Sequence, residues 1–510
     1  MGDTEVSEAG RTFEVSPEAM LPVLVGVDGV VSVSPPEERL LETVYFDTPD
    51  LALARRGVGL QRRTGGVDAG WYVERSDNRD MGAEPHRPLG ERDAEVPDDV
   101  IAPVRAFVRD RSLVPIVRVS TRRLEQRVVG HDGALLAGLS DDRVRAERIA
   151  GPGATEDWRE WRITVVDGDR ALVDTVSDCL ARSGAVVVDG GSTLARVLVE
   201  PDRPRKGKKS GRALRRGSAS ELAIAYLDRH VTALHEQDAR VRADAPGAIH
   251  KARIATRRLR SALRTYGPLL DDNRAVAVAD ELRWLGGSLS GARDAQVLRE
   301  RLGDLVAEQP PELVLGPVWR RIDEELRAEE RSGREAALQA LESQRYYRLL
   351  DQLDDLLTTA RFSKRARLPA RKVLPRLLRR DAKRLRRAVE AVASAQVPDA
   401  HDVALHEARK KAKRLRYAAE SMRPALGKRA KKVGGSAKKV QEALGAHQDT
   451  VMSRQRLHQY GAHTQANGEN GFTFGRLHAL EDVRAAAAVL EFQAAWAALS
   501  QVLRRLSRDG

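Results

Sequence analysis

Two segments of this chain set a histidine and a row of arginines or lysines at intervals of three and four residues. The first runs through His250, Arg253, Arg257, Arg260 and Arg264; the second, 156 residues later, runs through His406, Arg409, Lys413 and Arg416. At about 100° per residue a helix gathers each row into an arc of about 80°. The opposite side then carries Ala252, Leu259, Ala262 and Leu263 in one case, and Ala408, Leu415 and Ala419 in the other. Cations one turn apart on a solvent-side ridge suit the oxygens of an extended polyanion. A face that served solubility alone would interleave Asp or Glu at i±4, because each like-charged pair costs a few tenths of a kcal/mol. None occurs on the first row; the second has only Glu420, one turn past Arg416, and Glu407 off the row. The rows therefore read as ligand-binding faces held at some cost to stability.

Further cations surround them, on one predicted helix Arg376, Arg379, Arg380, Lys383 and Arg386, on another Lys428, Lys431, Lys432, Lys438 and Lys439. Of these Arg379, Lys383, Lys432 and Lys439 are expected to join the same site. A second matched pair follows the rows, Leu289 to Asp294 and Leu444 to Asp449. Two copies in the same order predict a duplicated helical bundle. Asp294 and Asp449 hold equivalent places among cations, where a carboxylate orients arginine side chains. Single-stranded nucleic acid is usually gripped by cations interleaved with aromatics, and only Tyr417 is near. Duplex readout favours Arg with Asn or Gln, and the rows contain neither amide. A polymer of phosphates without bases fits better, with nucleic acid as an alternative.

The elements that must hold these residues are helical. From Ser218 onward nearly every window has a 3.6-residue period with Ala, Leu and Arg enrichment. The earlier part reads differently, with alternating runs at Thr43–Phe46, Gly59–Arg63, Gly70–Glu74, Val114–Ser120, Gln126–Val129, Leu135–Leu139 and Glu160–Val166, broken by turn residues. Helical periods interrupt it at Asp98–Arg109 and Ala171–Ser183. Charge divides at the same place. Residues 1–200 carry 25 Arg, no Lys and 36 acids, a formal −11, and the rest of the chain carries +24. The domains predicted are 3–199, a basic linker at 200–217, and 218–508. Cys179 is the only cysteine, so a reducing compartment is expected and the thiol reads as a small buried residue. Trp71, Trp158, Trp161, Trp284, Trp319 and Trp496 read as core. No run of about 18 apolar residues is seen, so a soluble cytoplasmic protein that does not engage a membrane is expected.

The paired His-x-x-Arg helices make the second half resemble the CHAD family over roughly 218–508. The resemblance implies a helical bundle whose basic groove binds inorganic polyphosphate without a cofactor, often on polyphosphate granules. It also implies His250, Arg253, Arg257, Arg260, His406, Arg409, Lys413 and Arg416 as contacts. The first half resembles the CYTH family, the triphosphate tunnel fold. The resemblance rests on Phe13–Val15, Tyr45 to Asp50, Leu60 to Arg63, Gly70-Trp71 and Leu194 to Arg196. It implies an antiparallel eight-stranded tunnel, giving an α+β unit followed by an all-α unit. Such tunnels grip triphosphate with Lys and Arg, and place Mg²⁺ or Mn²⁺ on acids. Against that pattern Gly10 and Thr12 replace an acid and a lysine, Glu74 replaces a lysine, Gly138 an acid and Thr193 a lysine, while Arg162 breaks an acidic alternation. What survives is Arg62, Arg63, Arg122 and Arg196 for phosphate, and Glu8, Glu84, Asp142 and Glu160 for a metal. The first half is thus expected to be a degenerate, inactive tunnel; a metal-dependent triphosphatase or polyphosphatase is the alternative.

Overall fold

The computed structural model describes residues 10–27, 29–75, 87–90, 95–131, 133–149, 155–166, 170–188, 193–198, 217–271 and 273–508. The chain forms two compact units, Met1–Pro204 and Arg205–Gly510.

In the first unit β1 (Gly10–Val15), β2 (Ser32–Val33), β3 (Glu37–Asp47), β4 (Val58–Thr64), β5 (Gly70–Arg75), β6 (Val114–Val129), β7 (Leu135–Arg148), β8 (Thr155–Val165) and β9 (Val186–Val188) make one antiparallel sheet. The order is β5-β4-β3-β6-β7-β8-β1-β9, with β2 on β6. Where an eight-stranded tunnel is expected the structure has a nine-stranded antiparallel sheet, and among the described residues no ladder joins β5 to β9 to close it. The two runs expected at 114–120 and 126–129 are one strand. Its middle carries Arg122 and Arg123, and pairing to β3 on one side and β7 on the other extends the strand through that charged stretch. Tertiary pairing overrides the loss of alternation there. The helix expected over 98–109 breaks into α1 (Asp98–Ile101), a 3₁₀ turn at Ala102–Val104 and α2 (Arg105–Val108). Pro103 in that turn has no N–H to donate. Next come α3 (Arg170–Arg182) and α4 (Thr193–Val197). Phe13, Leu139, Trp161 and Ile163 on the sheet pack with Val176 and Leu180 of α3. Cys179 is half-buried beside that cluster rather than within it.

The second unit is helical: α5 (Ala219–Arg242), α6 (Ala248–Tyr266), α7 (Arg274–Ser288), α8 (Gly291–Ala307), α9 (Val318–Glu342), α10 (Gln344–Thr359) and α11 (Ala370–Ser394). Ser218 opens α5 with a reciprocal cap, its hydroxyl accepting from the Glu221 amide while the Glu221 carboxylate accepts from the Ser218 amide. The stretch Pro398–Ala466 is helical on both sides of Gly427, whose φ of 55° and ψ of −127° suit glycine alone. The chain reverses there, giving α12 (398–426) and α13 (428–466). Bonds from Arg416 to Gln441 and His406 to Gln448 show the two arms antiparallel. The last helix, α14 (Phe472–Arg508), buries Phe474, Leu477, Ala485, Ala488, Phe492, Leu499 and Leu503 along one side. Its segment Phe472–Arg505 is also long and apolar enough by composition to cross a membrane, with a window of mean hydropathy 1.3. Within its apolar stretch only Glu491, Gln493, Ser500 and Gln501 intervene, which keeps it from being one unbroken apolar run. Trp71 and Trp161 are buried as expected. Trp319 is 38% exposed, and Trp284 lies half-buried beneath the Arg345 guanidinium, 4.4 Å from its ring centre. Arginine stems cover such rings where a core would otherwise be needed.

Candidate anion-binding site

The two basic rows lie on α6 and α12, and the apolar residues opposite them, Ala252, Leu259, Ala262 and Leu263 with Ala408, Leu415 and Ala419, are all buried. Burial of that side fixes which way the cations face. Matching anchors hold the arginine at the same place in each row. The Arg253 guanidinium donates to Asp294 at 2.9 Å and to the Ser290 carbonyl. The Arg409 guanidinium stands 4.0 Å from Asp449, and Gly445 leaves room beside it. Asp294 and Asp449 thus stand where the sequence reading put them, each facing an arginine. These anchored arginines are not on an open ridge as expected. Each side chain is only 21% exposed, because an aspartate-held guanidinium lies along the protein instead of extending into water.

The rows meet. The charges of Arg257 and Arg253 on α6 act on Lys413 of α12, and Arg409 is influenced by Arg257 and Asp294. Three guanidinium groups surround the buried Tyr417 ring, those of Arg257 at 5.5 Å, Arg416 at 5.6 Å and Arg258 at 6.0 Å from its centre. Tyr417 therefore serves as a floor for arginines and has no face open to stack a base. Arg416 is tied down by Glu420 at 2.7 Å and Gln441 at 3.2 Å. By contrast, no carboxylate among the described residues lies within ion-pair reach of Arg257, Arg260, Arg264 or Lys413.

Electrostatics records that lack of counter-charge. Burial first, then the charges of Arg409, Arg257 and Arg253, pushes the Lys413 ammonium down to about 7 in spite of Asp449. Burial and the charges of Arg293, Arg257 and Arg253 hold the His250 imidazole below its ordinary value. Burial also lowers His406, with Lys410 and Arg409 adding to it and the Gln448 hydrogen bond opposing it. Arg260 is depressed by burial, then by Arg264, Arg283 and Arg257. An anion arriving here would supply charge that the protein withholds.

Not every expected cation joins the cluster. Arg379 and Lys383 project about 160° around α11 from the buried Asp381 that faces α6 and α12. Lys432 and Lys439 are exposed and lie about 140–160° around α13 from Gly434, the residue packed on α12. Sequence reasoning missed Arg293 and Gln448, the neighbours of His250 and His406. They occupy the same slot just before Asp294 and Asp449, so the second matched pair carried the signal.

In the first unit most of the surviving charges are taken up by other residues of the sheet. Arg63 pairs with Glu74 at 2.5 Å and covers the Tyr72 ring. Arg122 pairs with Glu38, and Arg196 joins Glu14 to Glu156. Asp142 is buried in a two-pronged pair with Arg123, and Glu160 accepts from Trp158 and Arg162. Arg62 is half-buried on β4 opposite Val44 and Trp71. Glu8 and Glu84 lie outside the described residues, as does most of the linker at 200–217. Among the described residues no three acids, histidines or cysteines gather as a metal site.

Comparison with known proteins agrees with the helical unit. The family model for the CHAD domain matches residues 225–458. Among solved structures the chain is similar to PptA from Streptomyces chartreusis, at 24% identity and a TM-score of 0.46 over 55% of this chain and 99% of that one. It is also similar to the CHAD domain from the plant Ricinus communis, at 22% identity and 0.44 over 56% and 93%. Two uncharacterized proteins of Mycobacterium tuberculosis, from strains CDC 1551 / Oshkosh and ATCC 25618 / H37Rv, are each 36% identical over 98% of both chains. The chain therefore belongs to the family of these mycobacterial proteins and carries a CHAD domain at residues 225–458.

Proposed function

We propose that the helical unit binds inorganic polyphosphate along the face shared by α6 and α12. The observation that carries this reading is the set of cations that form no ion pair among the described residues, Arg257, Arg260 and Lys413, beside arginines fixed by Asp294 and Asp449. Their desolvation and mutual repulsion are already present in the free protein, so a phosphate chain gains their full attraction without first disrupting ion pairs. A chain of phosphates needs rows of N–H donors and no stacking platform, and the buried Tyr417 offers none. Arginine and lysine divide the work: guanidinium forks fix phosphate oxygens in two-pronged bonds, while the Lys413 ammonium acts as a point charge. The binding needs no metal cofactor. The two matched rows, with their matched aspartates, are read as copies of one helical unit whose basic faces were brought together. In the same reading the first unit is a degenerate tunnel whose paired charges perform no hydrolysis, and the protein resides in the cytoplasm on polyphosphate granules. Titration with polyphosphate of defined length, followed by competition with single-stranded DNA, tests the proposal. Long polyphosphate is expected to displace the DNA while DNA fails to displace polyphosphate; equal competition would return the site to nucleic acid.

A further inference from the structure

At the C-terminal end of α6 the protein opens a pocket of about 830 Å³ between α6, α7, α11 and α12. Arg264, Arg283, Arg380, Arg384 and Arg414 line it. We propose that this pocket is a second phosphate-binding station, which takes a separate segment of the same polyphosphate chain that lies on the α6–α12 face. The inference rests on the polyphosphate reading of that face.

The pocket is built from the inside. Asp381, fully buried on α11, accepts from the Thr265 hydroxyl at 3.1 Å and pairs with both Arg384 and Arg414 at 2.9 Å. One carboxylate thus holds two guanidinium groups, and each keeps N–H donors to spare. Arg380 donates to the carbonyls of Arg264 and Thr265 at the end of α6, and its buried Nε has no hydrogen-bond partner among the described residues. Burial lowers the Arg380 pKa, and the Arg384 charge lowers it further. Among the described residues Arg264, which is exposed, has no carboxylate in ion-pair reach, and Arg283 pairs only with Asp280 at the rim. Five arginines against Asp271, Asp280 and Asp381 leave a net charge of +2. The volume equals that of more than twenty waters at about 30 Å³ each, room for several hydrated phosphates.

Continuity with the α6–α12 face comes through Arg260. Its charge is opposed by Arg264 and Arg283 at the pocket and by Arg257 on the face. From Arg257 to Arg264 is seven residues along α6, about 10 Å at 1.5 Å per residue. A short oligomer such as tripolyphosphate can occupy one station at a time. A long chain occupies both, and the second contact forms at high effective concentration, so affinity rises with chain length.

Calorimetric titration of the full chain with tripolyphosphate and with long polyphosphate tests this. Two tripolyphosphates per wild-type molecule are expected. Arg283→Gln with Arg384→Gln, both well exposed, should leave one and weaken long-chain binding at least tenfold. Arg264→Gln, whose side chain pairs with no carboxylate among the described residues, gives the same readout should the double change disturb the circular dichroism. One tripolyphosphate in the wild type, lost on Arg257→Gln and indifferent to the pocket substitutions, would overturn the second station and leave the face standing. One tripolyphosphate lost on the pocket substitutions and indifferent to Arg257→Gln would instead remove the face.

Discussion

Polyphosphate affinity should fall as pH rises from 7 to 9, and Lys413 is the cause. In the free protein this amine titrates at about 7, driven down by burial and by Arg409, Arg257 and Arg253, with Asp449 alone supporting the charge. Half the molecules carry that charge at pH 7 and roughly one in a hundred at pH 9. A polyanion on the face supplies counter-charge and returns the amine toward its ordinary range, so binding above pH 7 requires uptake of a proton. With the bound amine still charged at pH 9, linkage gives a loss of about 50-fold in affinity over those two units. His250 and His406, both held below their usual value, extend the gain in affinity toward acid. Calorimetry in two buffers of different ionisation enthalpy reads the proton uptake directly, and titrations at pH 7 and 9 read the affinity. Lys413→Arg should flatten the profile while keeping affinity, and Lys413→Met should flatten it while weakening binding about tenfold at pH 7. A wild-type affinity independent of pH between 7 and 9, or the same slope in Lys413→Arg, would refute the reasoning. The same shift bears on folding. Because the folded-state value lies below the ordinary 10.5, charging Lys413 opposes folding in full below pH 7, and the penalty disappears as pH rises from 7 past 10.5. Lys413→Met should therefore melt higher than wild type at pH 6, and by a margin that shrinks at pH 10.

Three further outcomes follow from single contacts. Asp449→Asn removes the carboxylate that supports the Lys413 charge, so the midpoint of the affinity profile should move below pH 7 in the same titrations. Gly333→Ala would drive a Cβ into the backbone of Ala292, where α9 crosses the start of α8 beside Asp294. It should cost about 1–3 kcal/mol in thermal or urea denaturation and weaken polyphosphate binding through the displaced Arg253 anchor. Glu74→Lys replaces the partner of Arg63 with a like charge. It should lower stability by up to about 1 kcal/mol, with no Mg²⁺- or Mn²⁺-dependent release of phosphate from tripolyphosphate before or after the change.

The helical half was legible because its signals are local. Period, buried stripe and basic row repeat within a few turns, and Ala252, Leu259, Ala408 and Leu415 are buried as the 3.6-residue pattern requires. The pairing of Asp294 with Arg253 and the approach of Asp449 to Arg409 were foreshadowed by the repeat itself. What the pattern could not convey is depth. A helical wheel places Arg253 outward, yet an aspartate from another helix draws it down against the protein. Nor does a wheel say which neighbours share a groove. In the sequence Arg379 and Lys383 stand on a par with Arg380, but in the fold Arg380 and the unforeseen Arg384 lie on the side of α11 that carries the buried Asp381. In the first half, β6 runs through Arg122 and Arg123 on the strength of its two neighbours, information absent from any short window. The charge-reversing Glu74 looked like damage to a phosphate site; in the fold it is the partner of Arg63.

The most direct test of the central claim is the affinity of Arg257→Gln with Arg260→Gln for long polyphosphate at pH 7. Neither arginine pairs with a carboxylate among the described residues, so the fold should be retained, as circular dichroism and the melting temperature would show. Each lost charge-assisted contact is worth about 1.5 kcal/mol or more, and the two together predict a loss of about a hundredfold. A double variant that melts like wild type and binds polyphosphate with unchanged affinity would contradict the account.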